Sequence, residues 1–353
     1  MKIALIGAGS SVGRHLLSRT DDRFFGIYRS EKALSQLCDL DIGPRLARVA
    51  DQAGLVNALR GSDAAVSLIN DENPRSALKS LIQAVDACEL AGVPQLIHMS
   101  SAAIYGRNPQ MARTVESGGP LISWNSYAAG KQWQENYLKR NRSRLPSTVI
   151  LRPGLIWGPG MAWLHAPAGE LLRREAWIVE GDALCNLVNI NFLSHAILKL
   201  SERRSPGLSF SNIYDRERLT WAQYYQRIAD HLGIRDVNIQ VVPKALIPPW
   251  VGTPRAARYL FPLGIGWSVS PRPLKDFVKG VVRALPKRRA SASVLLEPLN
   301  TAHLAINREV WELKTMKGLP PAGPILDDLY KSYRRTSEQD WNEVNELRTW
   351  MWV

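Results

Sequence analysis

The residues able to do chemistry in this chain fall in three stretches. "LIGAGSSVGRHLL" supplies Gly7, Gly9 and Gly13; "LIHMSSAAIYG" supplies Ser100 and Ser101; "NSYAAGKQWQENYL" sets Tyr127 four positions before Lys131. Residues four apart share a helix face, so an ammonium at 131 can stand beside a phenol at 127. A free phenol titrates at about 10 and is a poor base at neutral pH. A fixed cation, joined by an oxidised nicotinamide, stabilises the phenolate and lowers that value. Such a tyrosine could pass a proton to or from a substrate hydroxyl while a nicotinamide moves a hydride. Alone, the spacing is common by chance and favours two neighbours on an ordinary helix. Its order after a strand ending in hydroxyls, and before "VILRPGLIWGPG" with its strand end at Arg152-Pro153, favours the catalytic pair.

The elements that must position these groups are legible in the first 150 residues. Apolar runs at 2–8, 24–28, 64–69, 95–100 and 147–153 alternate with helix-period stretches at 12–19, 30–38, 75–92 and 126–141. Short buried strands alternating with helices predict a parallel sheet covered on both faces. The glycine turn lies between the first strand and first helix. There the backbone needs conformations closed to other residues, and a pyrophosphate can approach the main chain and helix N-terminus. That context predicts dinucleotide binding by Gly7, Gly9, Ser10, Ser11, Val12 and Gly13, against the alternative of a purely structural turn. The second strand runs into Arg29 with no carboxylate to accept from a ribose 2′-OH. A guanidinium there suits a 2′-phosphate and points to NADP over NAD, which stays possible.

Bulk properties bound the rest. The 353 residues, 45% hydrophobic, suffice for a sizeable core. No apolar run approaches the roughly 20 residues of a membrane span, and the amino terminus turns to glycine and serine too early for a signal peptide, so the expected location is cytoplasmic. Cys38, Cys88 and Cys185 lack C-x-x-C spacing, and the six histidines are dispersed, so neither disulfides nor a metal is expected. The net charge of +13 favours an anionic small molecule. The basic clusters, such as Lys139 to Arg144, are short and read as solvated helix ends, not a nucleic-acid surface. Beyond Pro153 the texture shifts toward Pro, Gly and Trp. The proline-rich stretch 243–273 predicts either an irregular, lid-like insertion or a surface loop held by Trp250, Phe261 and Trp267. Helices are expected over 324–335 and 338–349.

These motifs, in this order, resemble the extended short-chain dehydrogenase/reductases, the NAD(P)-dependent epimerase/dehydratase group, over residues 1 to about 235. The resemblance implies a Rossmann-like α/β fold: a doubly wound parallel sheet with a smaller carboxyl-terminal substrate-binding part. It divides the chain into a cofactor domain, 1–153, and a substrate part, 154–353, with strands near 185–190 and 210–214 rejoining the main sheet. It selects Ser101, four before Tyr105, to orient the reacting oxygen, with Tyr127 as acid/base and Lys131 on the nicotinamide ribose. It nominates Asp51 for the adenine, with Pro153 and Asn70 beside the cofactor; the family usually has alanine at the position of Asn70. A homodimer through the tyrosine helices is a further implication.

Departures from the family pattern narrow the chemistry. Ser10 stands where the glycine motif has its middle glycine. Ala102 and Ala103 replace the Asp-Glu pair with which sugar-nucleotide dehydratases eliminate water, which argues against elimination. Asn191 replaces an aspartate, with packing the expected consequence. Three functions follow. The first is an NADP-dependent reductase or epimerase of a nucleotide-activated sugar. The second is a reductase of a lipophilic alcohol or ketone resembling the 3β-hydroxysteroid dehydrogenases, whose spacing the proline-rich insertion fits. The third is a non-catalytic NADP-sensing scaffold, against which intact Ser101, Tyr127 and Lys131 argue.

Overall fold

The computed structural model describes residues 1–106, 126–243 and 324–345, apart from gaps at 19–21, 39, 41–44, 72 and 182, together with Lys314 and Leu319. The chain begins with β1 (Ile3–Ile6), buried at all four positions, and α1 (Ser11–Ser18). There follow β2 (Phe24–Tyr28), α2 (Glu31–Ser35), β3 (Leu46–Arg48), α3 (Gln52–Leu59), β4 (Ala64–Ser67), α4 (Pro74–Leu90) and β5 (Gln95–Met99). A 3-10 turn (Ala102–Tyr105) precedes α5 (Ser126–Arg140) and β6 (Ser147–Pro153). Unbroken apolar strands are those buried on both faces, and these pair in parallel throughout.

With β10 (Gly207–Ile213), the strands form a seven-stranded sheet in the order β10-β6-β5-β4-β1-β2-β3. The order reverses between β1 and β4, and open α/β sheets bind ligands beyond the strand ends at such a reversal. One layer packs α1 and α7 (Ile190–Glu202) over Leu5, Val66, Ile97 and Leu151; the other packs α3, α4 and α5 over Ala4, Ala65, Leu96 and Ile150. Asn73 caps α4 by accepting from Arg75 N and Ser76 N, with Pro74 in the first turn, where a missing N–H costs nothing.

The strand expected at 185–190 does not join this sheet. β6 already has β5 and β10 on its two sides, and β9 (Leu187–Asn189) instead pairs in parallel with β7 (Leu155–Trp157) in a separate two-stranded sheet. The segment near 210–214 lies in the main sheet, as β10 beside β6. A third small sheet pairs β8 (Trp177–Val179) with β11 (Gln240–Val242). Around these, α6 (Ala162–Leu172), α8 (Trp221–Leu232) and α10 (Ser337–Asn345) build a second core of Trp157, Leu164, Trp221, Tyr224 and Trp341. α9 (Pro324–Ser332) sends Leu326 and Leu329 into the main core. The helix read at 324–335 ends at Ser332, and of the helix read at 338–349 the last four residues lie outside the described ones, as do 244–273 of the proline-rich stretch. Among the described residues no helix is long and apolar enough to cross a membrane.

Candidate active site

At the carboxyl ends of β1, β4, β5 and β6 lies a cavity of about 380 Å3. On one side lies the glycine turn, where Ser10, Ser11 and Val12 line the wall. Gly7 has φ +93°, and a Cβ on Gly13 would stand 2.5 Å from Ala8 O, so both positions demand glycine. The departure at Ser10 has a local reason: its Oγ accepts from Gly13 N at 3.1 Å and caps the entry to α1. The displaced glycine has one too, since a Cβ on Gly9 would meet Ala33 Cβ of α2 at 2.8 Å. The turn thus keeps the close backbone approach that a pyrophosphate needs, and its residues fit a dinucleotide.

Ser101, Tyr127, Lys131, Asn70 and Pro153 line the same cavity. Ser101 follows β5, and its Oγ accepts from Ala103 N at 3.2 Å to start the 3-10 turn. Tyr127 is half-buried at the start of α5, packed on Ala103 and Ala128. Burial pushes its phenol above the ordinary value, and a hydrogen bond with the Ser101 side chain pulls it down. Lys131 is buried, with Nζ 5.9 Å from the Tyr127 ring centroid, donating to Ile69 O and Met99 O at 2.8 Å each. Burial lowers its ammonium to about 7, with the Glu135 carboxylate opposing.

Arg29 and Asp51 are not part of the cavity wall. Arg29 is exposed just past β2; Asp51 caps α3, accepting from Gly54 N at 2.7 Å. Asn191 serves packing, its Nδ2 donating to Glu343 Oε2 of α10 at 2.8 Å.

Of the opposite wall, only Ala102 and Ala103 were singled out in the sequence. It is formed by Ala102, Ala103, Gly154, Leu155, Ile156, Trp163, Cys185 and Asn186. Asn186 has φ +45°, and its Oδ1 accepts from Leu319 N at 2.9 Å and Arg218 Nη2 at 3.0 Å. No local pattern marks such a residue. Cys185 is buried, its thiol pushed far up by burial, so it is an apolar wall group and not a nucleophile. Glu135, by contrast, had a signal: it continues the four-residue spacing of Tyr127 and Lys131 along α5.

Comparison with known proteins bears on the cofactor and the fold. The family model described as NAD(P)H-binding matches residues 7–171. A 2-alkyl-3-oxoalkanoate reductase from Stenotrophomonas maltophilia is 24% identical over 56% of this chain, which spans 63% of that relative's length. A decarboxylating sterol-4-alpha-carboxylate 3-dehydrogenase from Dictyostelium discoideum is 20% identical over 70% of this chain and 83% of its own. Among solved structures, a UDP-N-acetylglucosamine 4-epimerase from Methanobrevibacter ruminantium superposes with TM-score 0.56 at 19% identity, covering 69% of this chain and 85% of that one. A UDP-glucuronic acid 4-epimerase from Bacillus cereus, in complex with UDP-glucuronic acid and NAD, does so with TM-score 0.56 at 17% identity over 69% and 86%. The glycine turn, the sheet order reversing between β1 and β4 and the NAD(P)H-binding match over residues 7–171 together mark this part of the chain as an NAD(P)H-binding domain of Rossmann-like fold.

Proposed function

We propose that the chain is an oxidoreductase acting at a secondary alcohol or ketone, with Ser101, Tyr127 and Lys131 as its working groups. The observation that carries this reading is the convergence of Ser101, Tyr127 and Lys131 on one cavity that the glycine turn also lines through Ser10, Ser11 and Val12. The nicotinamide supplies the hydride. In reduction, Tyr127 Oη gives its proton to the substrate oxygen while Ser101 Oγ holds that oxygen in place. Lys131 has three N–H donors, two of them spent on Ile69 O and Met99 O; the third is available to a ribose hydroxyl. Its charge favours the phenolate that remains after transfer. Arg29, exposed past β2 with no acid at that strand end, supports NADP as the cofactor.

The substrate wall supports a lipophilic ketone. Ala102, Ala103, Leu155, Ile156, Trp163 and Cys185 are apolar, and Lys131 is the one Lys or Arg among the described lining residues. A diphosphate buried there would want cations of its own. The names of the two curated relatives, an oxoalkanoate reductase and a sterol dehydrogenase, point the same way. A nucleotide-activated sugar is the second reading, favoured by the net charge of +13 and by neighbours crystallised with UDP sugars. Ala102 and Ala103 offer no acid or base for elimination in either case.

A substrate panel separates the two. NADPH oxidation is followed with 2-alkyl-3-oxo acids and 3-ketosteroids in one arm and UDP-4-keto sugars in the other. Turnover in the first arm is expected; turnover confined to the second overturns the lipophilic assignment.

A further inference from the structure

We propose that Glu135 is a positioning residue of this site, fixing the Ser101 segment and keeping the Lys131 side chain cationic through a buried pair with Arg152. The proposal rests on the reading of Lys131 as a cofactor ligand. Tyr127, Lys131 and Glu135 lie at four-residue intervals on one face of α5. Glu135 and Arg152 are both 0% exposed, and Arg152 donates to it twice, Nε to Oε1 at 3.0 Å and Nη2 to Oε2 at 2.7 Å. Ser100 Oγ donates to the same Oε1 at 2.6 Å. From the other side of the guanidinium, Nη1 donates to Tyr105 Oη at 2.7 Å, and Tyr105 Oη donates to Asn212 Oδ1 at 2.7 Å.

Ser101 therefore stands between two tethered neighbours. Ser100, just before it, is tied to the carboxylate; Tyr105, closing the turn that Ser101 opens, is tied to the guanidinium. One ion pair thus locks the ends of β5, β6 and β10 to α5, whose face bears Tyr127 and Lys131.

The electrostatic half follows from what surrounds Lys131. On α5 it has Tyr127 and Glu135 as neighbours. On β5 it has His98, which burial and the Lys131 charge keep well below its ordinary value and hence neutral. The end of β4 contributes the carbonyl of Ile69, and α4 presents Pro74 and Ala77 to Gly130. Arg152 stands beyond Glu135. Burial favours the neutral amine and Glu135 opposes it, so removing the carboxylate shifts the balance toward neutral Lys131 and leaves Arg152 as an uncompensated buried cation.

The sign sets the test. Wild-type affinity for NADPH is constant while free Lys131 is protonated and weakens as pH rises through about 7, by about tenfold per unit. The experiment measures NADPH dissociation constants by nicotinamide fluorescence from acid to alkaline pH, with NADH as the control lacking the 2′-phosphate. Glu135→Gln is expected to move the onset of weakening to lower pH by about one unit while leaving the acid-side affinity near wild type. Glu135→Asp keeps the charge and returns the onset toward wild type. Because a lone buried guanidinium can prevent folding, the neutral double variant Glu135→Gln/Arg152→Gln is measured too, and moves the onset the same way by less. An unmoved onset in the double variant, or a Glu135→Gln curve displaced equally at every pH, overturns the proposal and leaves the pair purely structural. Lys131→Met distinguishes failure of the underlying reading: if it keeps the wild-type pH dependence, Lys131 is not the cofactor ligand.

Discussion

At the scale of the residue, the Tyr127 phenol is under opposing influences. Burial beside Ala103 and Ala128 raises its pKa, which suits a proton donor and hinders a proton acceptor. The Ser101 side chain acts in the other direction, pulling the phenol down. Ser101→Ala is expected to cut turnover by about 100- to 1,000-fold, the usual loss for one preorganised donor. NADPH affinity should hold, since the glycine turn and Lys131 are untouched. Losing the cap on Ala103 N costs about 1 kcal/mol of stability. Steady-state kinetics beside a NADPH titration checks this; a parallel loss of cofactor affinity would show that Ser101 shapes the cofactor site instead. Tyr127 and Lys131 could be paired in the sequence because helix periodicity is a local pattern, and a strand end marked Ser100 and Ser101 together, between which only the family resemblance chose. Asn186 could not be singled out, because its left-handed backbone and its bond to Leu319 N depend on chain far away.

The elements show the same division. Strands β2 and β6 coincide with apolar runs of the sequence, and α4 and α5 with its helix-period stretches, because each buries a continuous face. β3 escaped notice: it is three residues long and none of them is buried. The partner of β9 also could not be read, since an apolar triplet does not say which edge it joins. What sends it to β7 is the crossing at Gly154, where Leu155 N donates to Asn186 O at 2.9 Å. A Cβ on Gly154 would lie 1.8 Å from that same oxygen. Gly154→Ala must therefore shift backbone and is expected to cost at least about 1–3 kcal/mol, read from the denaturant midpoint. A change within about 0.5 kcal/mol, the range of an ordinary surface substitution, would contradict this crossing.

Across the whole molecule, the site draws on chain from end to end. The sheet reversal places the glycine turn beside β4 and β5, while the later chain builds the far wall and is itself tied down by the carboxyl-terminal segments. Trp341 of α10 packs on Trp157 with ring centroids 4.3 Å apart, and Lys314 lies over the Trp177 ring at 3.6 Å. That long-range assembly brings an apolar wall to face the side chains of Ser101, Tyr127 and Lys131 across one cavity. The most direct measurement is single-turnover hydride transfer from bound NADPH to a 3-keto substrate in wild type and Tyr127→Phe. Removal of the proton donor predicts a rate lower by about 100- to 10,000-fold with unchanged NADPH affinity; a variant that transfers hydride at the wild-type rate would contradict the convergence of these groups on one reaction.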